Sequence, residues 1–358
     1  MTTDVLTSAS AGLGHITLNR PSRLHALTTS MCETMIQALL TWREDDNVRV
    51  VLIDHAEGTR GFCAGGDTRL LAQSGAGDGV AARAFFLAEY RLNHLLFSYP
   101  KPVIALMDGV TMGGGVGLAS PASFRIATER TVYAMPEVKI GLFPDVGAGW
   151  YLPRKPGEIG MWLALTGSQL RAGDCLEAGI ATHYLPAHAL PAARAHMASA
   201  ANEPDPREAL QKVLFELNTE NVPPIEKLVP DNRDRIDDLF AHDSIESIVA
   251  ALEADGSDWA LDQLATLSSA SPLSLKVTFR QLRDGAQMAS FADEMQQEYR
   301  LATRLVAGHD FAEGVRARLV DKDNAPIWEP RTGAAVGHEV LDAIFAPLAP
   351  EDEWAPLS

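Results

Sequence analysis

Two acidic side chains stand directly after prolines, Glu137 in Met135-Pro136-Glu137 and Asp145 in Phe143-Pro144-Asp145-Val146-Gly147, eight positions apart. Each proline fixes a backbone angle just ahead of a carboxylate. A carboxylate held on a rigid apolar turn beside a like-charged neighbour has its pKa raised, which suits acid–base work. Shortly upstream the chain crowds glycine at Gly109, Gly113, Gly114, Gly115 and Gly117. Such a run removes Cβ atoms and lets successive N–H groups point into a cavity, and a helix N-terminus at that place adds about half a positive charge. The stretch therefore offers amide donors for an oxygen that becomes negative, together with two carboxylates.

Other chemistries fit less well. Gly113-x-Gly115 is followed by Leu118 where a dinucleotide loop has its third glycine, and no Lys-Ser or Lys-Thr pair follows as in a P-loop. There is no G-x-S-x-G elbow. The 10 histidines are scattered, and Gly337-His338-Glu339-Val340 lacks the second histidine of a zinc-protease helix, so no metal site is expected. An isolated glycine turn is often a packing joint and an isolated Pro-Glu a surface turn. Their joint appearance in one stretch favours a site.

With Gly61-Phe62-Cys63-Ala64-Gly65-Gly66-Asp67 upstream, the stretch resembles the crotonase (enoyl-CoA hydratase/isomerase) superfamily. Met135-Pro136-Glu137 with Gly141-Leu142-Phe143-Pro144-Asp145-Val146-Gly147 is similar to its 3-hydroxyisobutyryl-CoA hydrolase branch. The likeness extends to Ser271-Pro272-Leu273-Ser274-Leu275-Lys276 and to Gly308-His309-Asp310-Phe311-x-Glu313-Gly314-Val315-Arg316-Ala317, so it covers nearly the whole chain. It implies that the amides of Gly66 and Gly114 form an oxyanion hole for an acyl-CoA thioester and that Glu89 binds substrate. Hydratases of the superfamily carry a glutamate shortly after the triple glycine, where this chain has Gly117, and usually a glycine where it has Asp145. The resemblance thus implies hydrolysis, with Glu137 and Asp145 as the working pair. Glu137 either activates a water or attacks the thioester itself. A hydratase or isomerase, and a non-catalytic acyl-CoA-binding protein, are the competing expectations. Coenzyme A is then part of the substrate, and no cofactor is expected.

The elements that must position these residues follow from periodicity. Gly14 to Asn19 alternates as a half-buried strand, and Val48 to Asp54 is apolar almost throughout, as expected of a strand covered on both faces. Helices are predicted from about Ser30 to Arg43 and from Ala81 to Phe97, with strands at Val103 to Met107, Phe124 to Ala127 and Thr131 to Ala134. Both glycine loops follow strands in a β/α order, so both are expected at one edge of a sheet. From Pro206 onward the pattern is helical. The fold class expected is α/β, a crotonase-like ββα spiral core over residues 1–200 with a mostly helical C-terminal region over 201–358.

A net charge of −17 speaks against nucleic acid as a partner, since polyanion binding needs a basic surface. No apolar run spans a bilayer. Cys32, Cys63 and Cys175 lie far apart with no C-x-x-C spacing, against a disulfide scaffold or zinc ribbon. The first residues show neither a signal peptide nor an Arg-rich presequence, so a cytoplasmic, reduced protein is expected. Crotonases commonly form trimers and hexamers, which makes a homo-oligomer one expectation, although the helical C-terminus is placed to cover the faces used for that.

Overall fold

The structure, a computed structural model, describes residues 3–357. Its strands are β1 (Val5–Ser10), β2 (Gly12–Leu18), β3 (Val48–His55), β4 (Gly61–Cys63), β5 (Val103–Met107), β6 (Val110–Met112), β7 (Phe124–Ala127), β8 (Val132–Ala134) and β9 (His183–Tyr184). The helices through the first 200 residues are α1 (Thr29–Arg43), α2 (Thr68–Gly75), α3 (Val80–Phe97), α4 (Gly114–Ala119), α5 (Ala148–Tyr151), α6 (Ile159–Thr166), α7 (Ala172–Glu177) and α8 (Leu190–Ala200). Beyond residue 200 the described chain is helix and loop only: α9 (Pro206–Glu220), α10 (Leu228–Phe240), α11 (Ile245–Asp255), α12 (Asp258–Ser269), α13 (Pro272–Gly285), α14 (Phe291–Leu305), α15 (His309–Val315) and α16 (His338–Phe345).

By packing, the chain divides into two compact units, each drawn from three separate segments. One comprises Met1–Gly66, Arg91–Tyr133 and Gln169–Asp231, the other Asp67–Tyr90, Ala134–Ser168 and Asn232–Ser358. The first unit carries a six-stranded sheet of order β1-β2-β3-β5-β7-β9, antiparallel between β1 and β2 and parallel from β2 onward. A smaller sheet has the order β4-β6-β8. Alternate residues of the large sheet, Leu13, Val50, Leu52, Ile104, Leu106 and Ile126, pack against Leu190, Ala193 and Met197 of α8 and Leu210 and Leu214 of α9. Each fully buried aliphatic side chain of this kind stabilises the fold by about 2 kcal/mol. Helix α1 begins at Thr28, whose hydroxyl accepts from the Met31 amide at 3.3 Å, and buries Met31, Met35, Leu39 and Trp42 at steps of three and four.

The second unit is mostly helical and holds the two proline-led turns. Its C-terminal motifs are structural ties to those turns. The Ser271 amide, at the N-cap of α13, donates to the Val138 carbonyl at 3.1 Å. The Ser271 hydroxyl donates to Asp310 at 2.5 Å, and the other Asp310 oxygen accepts from the Glu329 amide at 2.7 Å. Ile140 is so close to Gly314 of α15 that a Cβ there would fall 2.4 Å from the Ile140 carbonyl carbon. Both C-terminal motifs thus brace the short 3-10 turn Glu137–Ile140.

Candidate active site

The two glycine turns are neighbours within the first unit. Strands β4 and β6 run parallel and adjacent, so the chain leaves both at the same end. The loop after β4 is pinned by hydrogen bonds from Ala64 N to Leu24 O at 3.0 Å and from Leu27 N to Gly65 O at 2.7 Å. A Cβ on Gly65 would lie 3.6 Å from the amide nitrogen of Gly114. The approach is closest at Gly115, where a Cβ would sit 2.3 Å from the Cys63 carbonyl oxygen, so any side chain would drive the turns apart. Among the described residues, neither Gly66 nor Gly114 spends its amide on the protein backbone. Cys63 is buried, and its thiol donates to the His25 carbonyl at 3.3 Å.

The carboxylates belong to the second unit. Glu137 opens the Glu137–Ile140 turn, and Asp145 precedes Val146, whose φ of 55° is a left-handed conformation that costs a β-branched residue about 1–3 kcal/mol. Glu89, near the middle of α3, joins them. Their exposures are 2% for Glu89, 6% for Glu137 and 5% for Asp145. The hydroxyl of Tyr90, next to Glu89, donates to Asp145 Oδ2 at 2.8 Å. Glu89 Oε1 and Glu137 Oε2 are buried with no hydrogen-bond partner among the described residues.

Burial without compensation sets the electrostatics. Desolvation, then Asp145, then Glu137 push the Glu89 carboxyl well above the usual carboxylate range. Desolvation and then Asp145 do the same to Glu137. Asp145 is pushed up to about 6, burial being opposed by the Tyr90 hydroxyl. Tyr90 itself is raised, first by burial and then by the acids around it, so it stays protonated and remains a donor. Three acids of this kind cannot all be charged together: Asp145 gives up its proton near 6, while Glu89 and Glu137 are held protonated to higher pH. Such a group can act as general base, general acid or, once ionised, nucleophile.

Two more buried acids stand behind Asp145. Glu294 and Glu298, one turn apart on α14, are fully buried, and Glu298 accepts from the amides of Gly147 and Gly149. The sequence analysis missed these two and Tyr90. The signal was present in α14: Phe291, Met295, Leu301, Ala302 and Leu305 form its apolar stripe, and positions 294 and 298 fall inside it. Among the described residues, no group of three or more His, Cys, Asp or Glu side chains is arranged to hold a metal ion.

The family model for enoyl-CoA hydratase/isomerase matches residues 13–345. The chain belongs to the enoyl-CoA hydratase/isomerase family. Within it, the chain is 43% identical over 351 residues to a protein of Gallus gallus named 3-hydroxyisobutyryl-CoA hydrolase, mitochondrial, covering 98% of this chain and 90% of that one. The human protein of the same name is 40% identical with the same coverage. Two solved structures are also similar. One, titled a carnitinyl-CoA dehydratase from Mycobacterium thermoresistibile, has a TM-score of 0.89 at 38% identity over 98% of both chains. The other, titled an enoyl-CoA hydratase from Rhodobacter sphaeroides 2.4.1, has a TM-score of 0.87 at 38% identity over 99% of this chain and 100% of that one. The expected α/β crotonase-like fold with a mostly helical C-terminal region is the fold of this enoyl-CoA hydratase/isomerase family member.

Proposed function

We propose that this chain is a thioester hydrolase that converts 3-hydroxyisobutyryl-CoA, or a similar short 3-hydroxyacyl-CoA, to the free hydroxy acid and coenzyme A. One observation carries the choice of hydrolysis: Asp145 and Glu137 sit in one buried acid cluster, while α4, Gly114–Ala119, contains no acid. The names of the curated relatives agree.

In the general-base route Glu137 takes a proton from water as its oxygen attacks the thioester carbonyl carbon. The carbonyl oxygen becomes the tetrahedral oxyanion, and the amides of Gly66 and Gly114 receive it, at about 3 kcal/mol per donor. Collapse breaks the C–S bond, and the thiolate takes the proton that Glu137 gained, with Asp145 assisting. In the covalent route the ionised Glu137 attacks the thioester carbonyl, the C–S bond breaks and coenzyme A leaves as a thiolate that Asp145 helps to protonate, and water then cleaves the mixed anhydride to release the acid and return Glu137. Either way Asp145 orients the water or the substrate 3-hydroxyl, and Glu89 lies against the acyl group. Coenzyme A enters as part of the substrate, and no further cofactor is invoked. Cys32, Cys63 and Cys175 are buried and none is in a disulfide, which fits a reducing compartment; the relatives' names specify mitochondria.

The titles of the two solved structures favour a second reading, addition of water to an enoyl-CoA. A panel of acyl-CoA esters separates the two. Release of free thiol from 3-hydroxyisobutyryl-CoA, with no loss of enoyl absorbance from crotonyl-CoA, is expected. Loss of enoyl absorbance without thiol release would overturn the hydrolase reading, and tight ester binding with no turnover of either kind would make the protein a binder. Glu137→Gln and Asp145→Asn should each lower kcat at least a hundredfold, about 3 kcal/mol of transition-state stabilisation, in folded protein.

A further inference from the structure

The turn that carries Asp145 is gripped on both sides by groups the reaction itself does not use. Ahead of it, the Pro144 carbonyl accepts from Gln281 Nε2 at 3.0 Å. Behind it, the Gly147 amide donates to Glu298 Oε2 at 2.8 Å and the Gly149 amide to Glu298 Oε1 at 3.3 Å. Gln281 closes the bracket by donating to Glu298 Oε1 at 3.0 Å, and it lies 3.4 Å from Glu294 Oε1. Helix α13 comes this close because Gly285 has no side chain: a Cβ there would lie 2.1 Å from the Gly149 carbonyl oxygen.

We propose that Glu298 is a positioning residue for the hydrolysis: gripping the Gly147 and Gly149 amides with its two oxygens, and with Gln281 as its partner, it holds the left-handed Val146 turn and so aims Asp145. The proposal rests on the role given to Asp145 above. A turn with a β-branched residue at positive φ does not keep that shape unaided, and three donors on one buried acid are what over-determine it. Two buried acids one helical turn apart share a proton. Both oxygens of Glu298 accept hydrogen bonds from the turn and from Gln281, whereas Glu294 makes none to the turn and its Oε2 has no partner among the described residues. Arg154 and Asp284 are the other charged groups acting on Glu294, and Asp145 acts on Glu298. Burial raises both carboxyls, Glu294 to about 7.

The two acids therefore differ in what an isosteric amide does to them. Glu294 accepts from Gln281 at 3.4 Å and from neither amide of the turn, so Glu294→Gln leaves the bonds from the Gly147 and Gly149 amides in place. In Glu298→Gln a donor faces the amides that need an acceptor, and the turn loosens. With 3-hydroxyisobutyryl-CoA, Glu298→Gln is expected to lower kcat at least about tenfold with KM within about threefold, a loss at least about fivefold larger than that of Glu294→Gln. In an Asp145→Asn background, Glu298→Gln should cost no further kcat, since it acts through Asp145. Equal losses in the two single variants, a loss confined to KM, or additivity with Asp145→Asn overturns the proposal. If Glu298→Gln does not fold, Gln281→Met tests the same bracket: a kcat lowered about fivefold at unchanged KM supports it, and the parent kcat in folded protein overturns it. Thiol release by the parent that is abolished by Asp145→Asn keeps the functional reading whatever Glu298 does. A parent chain that releases no thiol sinks both.

Discussion

At the scale of single residues, the acids store an energy that pH can read. Burial holds Asp145 at about 6 and Glu294 at about 7, both above ordinary carboxylates, so the folded chain binds these protons more tightly than the unfolded one. Stability from this source is complete below about pH 4 and is lost as pH rises through about 6 to 7, at about 3 kcal/mol per group. His25 works in the opposite sense, its ring lowered to about 4 by burial and then by His55. A comparison of variants cancels that contribution. The thermal midpoint of Asp145→Asn should therefore fall less between pH 4.5 and 7.5 than that of the parent, and parallel curves would refute the assignment. Part of this cluster was legible in advance: Pro-Glu and Pro-Asp announced two acids on stiff turns. Tyr90 was not, because a tyrosine inside an apolar helix reads as core until the fold brings Asp145 to its hydroxyl. His25 was not legible either: it accepts from the Arg20 amide at 3.0 Å with φ of 58°.

Elements show where periodicity succeeds and where it stops. Strands β3, β5 and β7 and helices α1 and α14 carry enough residues for the apolar period to fix them to within a residue or two. Strands β4 and β6, three residues each, are too short to show a period, and the glycines beside them read as loop. The strand β1 went unseen for a different reason: it lies at the sheet edge with all but Val5 exposed, so no alternation marks it. The interior turns of the second unit depend instead on close approach between helices. Gly285→Ala, which sets a methyl against the Gly149 carbonyl, should destabilise the chain by about 2–3 kcal/mol and lower kcat as well, measured by denaturant unfolding and thiol release. Asp310→Ala strands the Ser271 hydroxyl and the Glu329 amide, and about 2–3 kcal/mol should be lost there too. An unchanged unfolding midpoint in either variant would contradict the packing described.

At the scale of the whole molecule, the chain order and the packing order differ. The acids Glu89, Glu137 and Asp145 come from the first half of the sequence, yet the groups that brace their turns, Ser271, Gln281, Glu298 and Asp310, come from the last third. Truncation after Asp231 should therefore abolish thiol release and the fixed near-ultraviolet signal of the aromatic side chains, even though Gly66, Glu89, Gly114, Glu137 and Asp145 are all retained. A truncated chain that keeps the parent rate would show the helical C-terminus to be dispensable. The same interleaving bears on how the protein is made. A ribosome delivers the Asp145 turn long before the helix that grips it, so the nascent chain carries its reactive acids loose and hydrated through a large part of translation. Hydrolytic competence then arrives abruptly near the end of synthesis, and prematurely terminated products are inert toward the cell's pool of thioesters.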